Sequence, residues 1–154
     1  LRAYAVNAAF GLNRHGLVAH PLLYGLILFT RMLGPDARLV AVGLHAHPGV
    51  HLKAWAVREA GGILHVLLIN KGSATATVAL RLPAVGPASV ERLLAPSVTA
   101  RSGVTLDGQT LGRHATWRGR PSKEAVSPSV NGYVLSVPAT SAALVTARLA
   151  NAAL

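Results

Sequence analysis

The hydrophobic pattern of this chain changes period once, at Gly34-Pro35, and that change constrains everything that follows. Before it, apolar residues recur at helical spacing. After it, they alternate with a period of two. Pro21 suits a first helical turn, where its missing N–H leaves no bond unmade. Tyr24, Leu26, Ile27, Leu28 and Phe29 carry the helix to Leu33, and Gly34-Pro35 stops it. This helix is apolar nearly all round, so it requires burial on more than one side. One side is expected to pack on the first strands, near residues 39–44. The other calls for a partner outside the chain.

The clearest strand covers residues 75–82: Ala76, Val78, Leu80 and Leu82 take one face, and Thr75, Thr77, Ala79 and Arg81 the other. Residues 63–70 are apolar on both faces except at His65, as a central strand would be. Further strands are expected at 39–44, 51–58, 88–94, 133–137 and 142–149. Gly61-Gly62, Asn70-Lys71-Gly72, Asp107-Gly108 and Asn131-Gly132 supply the turns between them. Residues 113–130 read as a long loop. The expected fold is mainly β: an antiparallel β-sandwich over residues 38–149, preceded by one apolar α-helix within residues 1–34.

Composition narrows the function. With no cysteine, the chain has no disulfide, thiol nucleophile or cysteine-based zinc site. The apolar run at residues 22–29 is bounded by His20 and Arg31 and falls short of the roughly 20 residues that a membrane span needs. The chain starts at Leu1 with no apolar leader, which makes truncation upstream an expectation. Its net charge of +10 attracts anionic partners. Most of that charge is scattered singly, with one local concentration at Arg113, Arg118, Arg120 and Lys123. Neither a groove-reading helix nor an aromatic platform accompanies it, so no nucleic-acid partner is expected.

Chemistry-bearing residues are sparse. Glycoside hydrolysis usually needs two carboxyl groups, and the five acids here are Asp36, Glu59, Glu91, Asp107 and Glu124. Asp36 follows the helix stop, Glu59 sits by a hairpin turn and Asp107 lies in an Asp-Gly turn. Glu91 is placed on an exposed strand face and Glu124 in the long loop, so no catalytic residue is assigned. His45, His47 and His51 have the spacing of metal ligands, but no carboxylate stands near to orient their second nitrogens, and no metal or cofactor is expected. There is no G-x-S-x-G elbow and no phosphate-binding loop. Of the two tryptophans, Trp55 is expected to pack in the sheet. Trp117, beside Arg113 and Arg118, is the better candidate to stack on a sugar ring.

These features in this order resemble glycoside hydrolase family 79, the group of β-glucuronidases and heparanase. Pro21-Leu22-Leu23-Tyr24-Gly25-Leu26 is similar to the family's Pro-x-Tyr-Tyr-Gly-Leu opening of the last barrel helix, with Leu23 departing from the usual aromatic. Leu67-Leu68-Ile69-Asn70-Lys71 resembles its strand end at a characteristic asparagine. Leu94-Ala95-Pro96 followed by Gly103-Val104-Thr105-Leu106-Asp107-Gly108 resembles a further segment, and residues 133–144 its closing hairpin. The likeness spans residues 19–149.

The resemblance implies a non-catalytic C-terminal β-domain that stabilises an upstream (β/α)8 catalytic barrel, with the helix a remnant of that barrel. It implies a retaining glycosidase, extracellular or secreted, whose catalytic glutamates lie upstream. Residues 1–18 would then border its active site, making Asn7, Asn13 and Arg14 candidate carbohydrate contacts alongside Trp117, Arg113 and Arg118. The competing readings are an autonomous carbohydrate-binding module for an acidic polysaccharide and an accessory domain from another barrel glycosidase family.

Overall fold

The structure is a computed structural model and describes residues 8–150. It opens with a hairpin of β1 (Phe10–Asn13) and β2 (Gly16–Ala19), followed by α1 (Pro21–Arg31). The strands after it are β3 (Arg38–Val40), β4 (Leu52–Arg58), β5 (Ile63–Asn70), β6 (Ala76–Leu80) and β7 (Ala84–Leu94). Four short ones come next: β8 (Thr105–Leu106), β9 (Thr110–Leu111), β10 (Trp117–Arg118) and β11 (Glu124–Val126). The chain closes with β12 (Tyr133–Val137) and β13 (Ser141–Leu149).

A seven-stranded antiparallel sheet dominates, in the order β11-β7-β13-β5-β4-β3, with β8 paired to the end of β7. The closing strand therefore lies in the middle of the sheet, inserted between β5 and β7. That position explains its composition. Ala143, Leu144 and Val145 are fully buried on alternating faces, where a polar side chain would need a partner. β5 is likewise buried on both sides, as its unbroken apolar run requires.

Two layers cover the sheet. The antiparallel pair of β6 and β12 packs on one face, where Val78, Leu135 and Val137 meet Leu64, Val66, Leu68 and Val145. On the other face, Tyr24, Leu28 and Met32 of α1 and the residue after it meet Val57, Leu67, Leu144 and Leu106. The expected sandwich is present, and the helix forms a third layer on its back.

Several local expectations are corrected. The helix packs on the middle of the sheet rather than on residues 39–44, because Leu67 and Leu144 offer apolar surface there. The strand at 39–44 shortens to Arg38–Val40, an exposed edge. Trp55 is not packed away: it lies on the helix-bearing face of β4, beyond the helix's reach, and is 41% exposed. The segment before the helix contains a hairpin whose turn, Asn13 to Gly16, places Gly16 at φ +110, a conformation suited to glycine. Residues 113–130 are not one long loop either. They contain β10 and β11, which pair with β9 and β7.

Two glycine and asparagine positions show why their residue types are required. Gly34 follows the helix with the Glu59 carboxyl packed against it, so a Cβ there would make that side chain move. Asn70 ends β5 with every polar atom engaged. Its amide nitrogen donates to the carbonyls of Ala74, Val137 and Pro138, and its oxygen accepts the Gly72 N–H at 2.9 Å. The side chain thus ties the β5 turn to the end of β12, and its bonds stay inside the fold.

The two sides of α1 should respond differently to truncation. Leu28 is 2% exposed and Leu26 45%. Leu28→Ala should cost about 2–4 kcal/mol, a large-to-small change in a packed core, while Leu26→Ala should change stability by less than about 0.5 kcal/mol. Urea unfolding of both variants checks this, and equal losses would show that the helix is not seated as described.

Candidate functional site

Four of the five acids are committed to partners inside the fold. Arg31, on the last turn of α1, donates to Glu91 of β7 and to Asp107 at 2.9 Å, just past β8. Asp107 also accepts the Arg92 backbone N–H at 2.8 Å. Partial burial works against the Arg31 charge, but the two carboxylates outweigh it and hold the guanidinium's proton more tightly than usual. Glu91 thus faces the helix rather than open solvent. The two acids stand side by side as partners of one arginine, and both are engaged within the fold.

Glu124 is held in a fork by Arg92 Nε and Nη2, at 2.8 and 2.7 Å. It lies on a paired strand rather than in a loop, and the Arg92 hydrogen bonds keep its carboxyl below the ordinary value of 4.5. His65 bonds through Nε2 to the Glu59 carboxylate and through Nδ1 to the Thr146 hydroxyl, each at 2.9 Å. This trio resembles a catalytic triad in outline. It is built into the sheet beneath Gly34, with His65 buried, and it ties β5, β13 and the helix exit together.

His45, His47 and His51 are exposed, and no cluster of metal-binding side chains occurs among the described residues. A shallow depression of about 420 Å³ opens by Pro21, between the ends of β5 and β7 and the start of β13, with a mostly apolar lining. Its buried polar side chains, Asn70 and Ser141, already bond to backbone carbonyls.

Two of the stretches that carry candidate carbohydrate contacts lie next to each other. The β1–β2 turn carries Asn13, Arg14 and His15, and Gly16 at its end lies against Arg113: a Cβ there would sit 3.6 Å from the Arg113 carbonyl oxygen. Arg113 belongs to the connection between β9 and β10, and β10 carries Trp117 and Arg118. The corner is held from below. Tyr24 of α1 accepts the Leu111 N–H at 2.8 Å, and its ring meets Trp117 edge-on at 6.1 Å. Arg118 folds over Gly112, where a Cβ would crowd the guanidinium. Asn7 lies outside the described residues. The β1–β2 hairpin was legible only in its Asn13-to-Gly16 turn, and the Arg31 network joins residues far apart in the chain and left no local signal.

The family model described as the glycosyl hydrolase family 79 C-terminal beta domain matches residues 54–144. The chain belongs to this family. It is thus an accessory C-terminal domain of a glycoside hydrolase. Among solved structures, it is similar to a 4-O-α-L-rhamnosyl-β-D-glucuronidase from Fusarium oxysporum, with 26% identity and a TM-score of 0.54 over 62% of this chain and 23% of that one. It also matches the catalytic domain of a glycoside hydrolase family 30 xylanase from Talaromyces cellulolyticus, at 19% identity, TM-score 0.59, over 90% of this chain and 27% of that one. A family 30 xylanase from Clostridium acetobutylicum gives the same TM-score at 14% identity, over 90% and 30% of the two chains. These two xylanases share the fold alone. The chain spans about a quarter of the length of such structures. No curated protein matches it.

Two outcomes follow from the acids of this β-domain. The 154-residue chain should leave aryl glucuronides and other aryl glycosides intact, and turnover abolished by Glu91→Gln would contradict that. Because Glu124 is depressed in the folded state, its stabilising contribution is complete above the ordinary carboxylate value and lost as pH falls through the folded one. Urea midpoints of the wild type and Glu124→Gln should therefore differ at neutral pH and converge as the pH falls below the folded-state value of Glu124; a constant gap would refute it.

Proposed function

We propose that this β-domain braces a (β/α)8 catalytic barrel of the same polypeptide, and that the outer side of α1 is the seam between them. The observation that carries this is the stripe of Leu22, Leu26, Phe29 and Leu33, which are 45%, 45%, 47% and 47% exposed. Their spacing of four, three and four residues lines up along one side of a helix. The opposite side, through Tyr24, Leu28 and Met32, is already buried. Leu39, opposite Val57, and Trp55, opposite Leu67, extend the apolar surface across the same face of the sheet. Each such side chain gains roughly 1.5–3 kcal/mol when fully covered, and contiguous patches of this kind mark interaction surfaces.

On this reading, residues 1–34 belong to the barrel by sequence and residues 38–149 to the sandwich, with α1 shared between them. The parent enzyme is a retaining glycosidase acting on a glycan that bears uronic acid. Membership in the family and likeness to the Fusarium glucuronidase support that substrate class. Catalysis would rest on two carboxyl groups about 5–5.5 Å apart, supplied by the barrel.

The chain contains no cysteine, so a single introduced thiol reports on one position. Leu26→Cys and Phe29→Cys should react quickly with a thiol probe in the 154-residue chain. In the whole polypeptide encoded by the gene they should react at least about tenfold more slowly, as burial at an interface requires. Equal rates, read by peptide mass mapping, or a gene that encodes no barrel, would sink the proposal.

A further inference from the structure

We infer that the depression beside Pro21 binds a small amphiphile: an aliphatic carboxylate of about six to ten carbons, its chain inward beneath the β7–β8 loop and its head toward Lys71. This inference does not depend on the seam proposed for α1.

The floor is core that reaches the surface. Ile69 of β5, Leu93 of β7 and Ala142 of β13 line it together with Val104, and all four belong to the core beneath α1 or pack against it. Pro21, the first residue of α1, borders them. The volume of about 420 Å³ lies in the range of small-molecule sites. Asn70 and Ser141 donate to backbone carbonyls. An alkyl chain therefore suits this floor, whereas the hydroxyls of a sugar would give up water for few partners.

The wall is fixed at both ends. Residues 95–104 run from Leu94 to Thr105, which pair across β7 and β8, so the loop leaves and returns at one point. Gly103, at φ +73, packs on Pro96 at its base, and the Ala100 N–H donates to the Ser97 carbonyl at 3.2 Å near its tip. Thr140, between β12 and β13, holds the loop from the other side: its hydroxyl donates to the Ala95 carbonyl at 2.8 Å. It does so at φ +53, a left-handed conformation that is rare for a β-branched residue. Glycine would adopt that conformation freely but would lack the hydroxyl. Backbone strain of this kind clusters at ligand clamps. Ala95, Ser97, Val98 and Ala100 line the depression from this loop. Val98 is 68% exposed, and an alkyl chain beneath the loop would cover it.

Charge selects the head. Among the described residues, Lys71 is the one charged group that borders the depression, and the ion pairs of Arg31, His65 and Arg92 do not involve it. A compact ammonium beside an apolar floor suits a single anionic group on an aliphatic chain.

Titration of the isotope-labelled 154-residue chain with hexanoate, octanoate and decanoate, read by amide shifts, tests the inference. Binding should saturate, move the amides of residues 71, 97–100 and 140–142, and tighten about twofold to fourfold per added methylene. Ala100→Phe and Ser97→Trp, which fill the depression from the loop, should each weaken octanoate binding by about tenfold or more. Lys71→Gln should weaken octanoate by about twofold to fivefold and leave octanol unchanged. Lys123→Gln makes the same charge change elsewhere and should affect neither. Leu26→Gln, on the exposed side of α1, should also leave octanoate binding intact. No saturable binding, octanoate affinity unchanged in both loop variants, a loss in Leu26→Gln as large as in Ala100→Phe, or equal losses of octanoate and octanol in Lys71→Gln would each overturn the inference.

Discussion

The large sheet depends on a strand that is made last. β13 pairs with β5 from Ser141↔Asn70 to Arg148↔Ile63 and with β7 along its other edge. Without it, β7 with β11 and β8 would be cut off from β5, β4 and β3, and both cores would lose their centre. Ala143 and Val145 face the β6–β12 layer and Leu144 faces the helix, so one short run serves both cores. The sheet is thus assembled from contacts distant in sequence, and closing it requires the chain through Leu149. Such non-local pairing makes folding slow and all-or-none rather than modular. The small residues of β13 are part of the design: alanine at 142, 143 and 147 lets neighbouring layers approach a strand that has no free side.

Much of this was legible from residue patterns, because periodicity reports burial directly. The alternation at 75–82 marked β6 as a strand with two unlike faces, and with β12 it proved to be the outer layer. The unbroken apolar run of β5 marked a central strand for the same reason. Pro21 and Gly34-Pro35 bracketed the helix, and Gly34 leaves room for the Glu59 carboxyl that packs against it. What failed were inferences that needed tertiary neighbours. Trp55 looks like a core residue from its strand, but the helix covers Leu144 and Leu67 and stops short of it. Glu124 looks solvated in a polar stretch, yet Arg92 reaches it from β7. The β9–β10 pair was invisible because strands of two residues carry no period.

The candidate carbohydrate contacts show the same limit from the other side. Trp117, Arg113 and Arg118 were singled out for residue type and proximity in sequence, and Asn13 for its place in a presumed loop. Nothing in the sequence indicated that these two stretches meet. Gly16 packed against Arg113 is the contact that joins them, and it exists because the N-terminal hairpin folds back beside the start of α1, where His20 Nδ1 and N–H both bond to carbonyls of residues 8 and 9.

Tyr24 links the two surfaces of this domain. Its ring belongs to the core under α1, its hydroxyl accepts the Leu111 N–H, and its edge supports Trp117. The same helix carries Leu22 and Leu26 on its outer side and ends in Arg31, which is clamped to Glu91 and Asp107. Asp107 in turn anchors the segment that leads into β9 and β10, through its backbone carbonyl accepting the Ser122 N–H. A rotation of α1 would therefore strain the hydroxyl contact, the aromatic contact and the arginine clamp at once. Because packed interfaces resist continuous deformation, the helix and the β8–β11 excursion behave as one rigid piece. The position of the basic corner relative to anything seated on the outer side of α1 is consequently set by the helix itself, not by the flexibility of the turns that display the arginines.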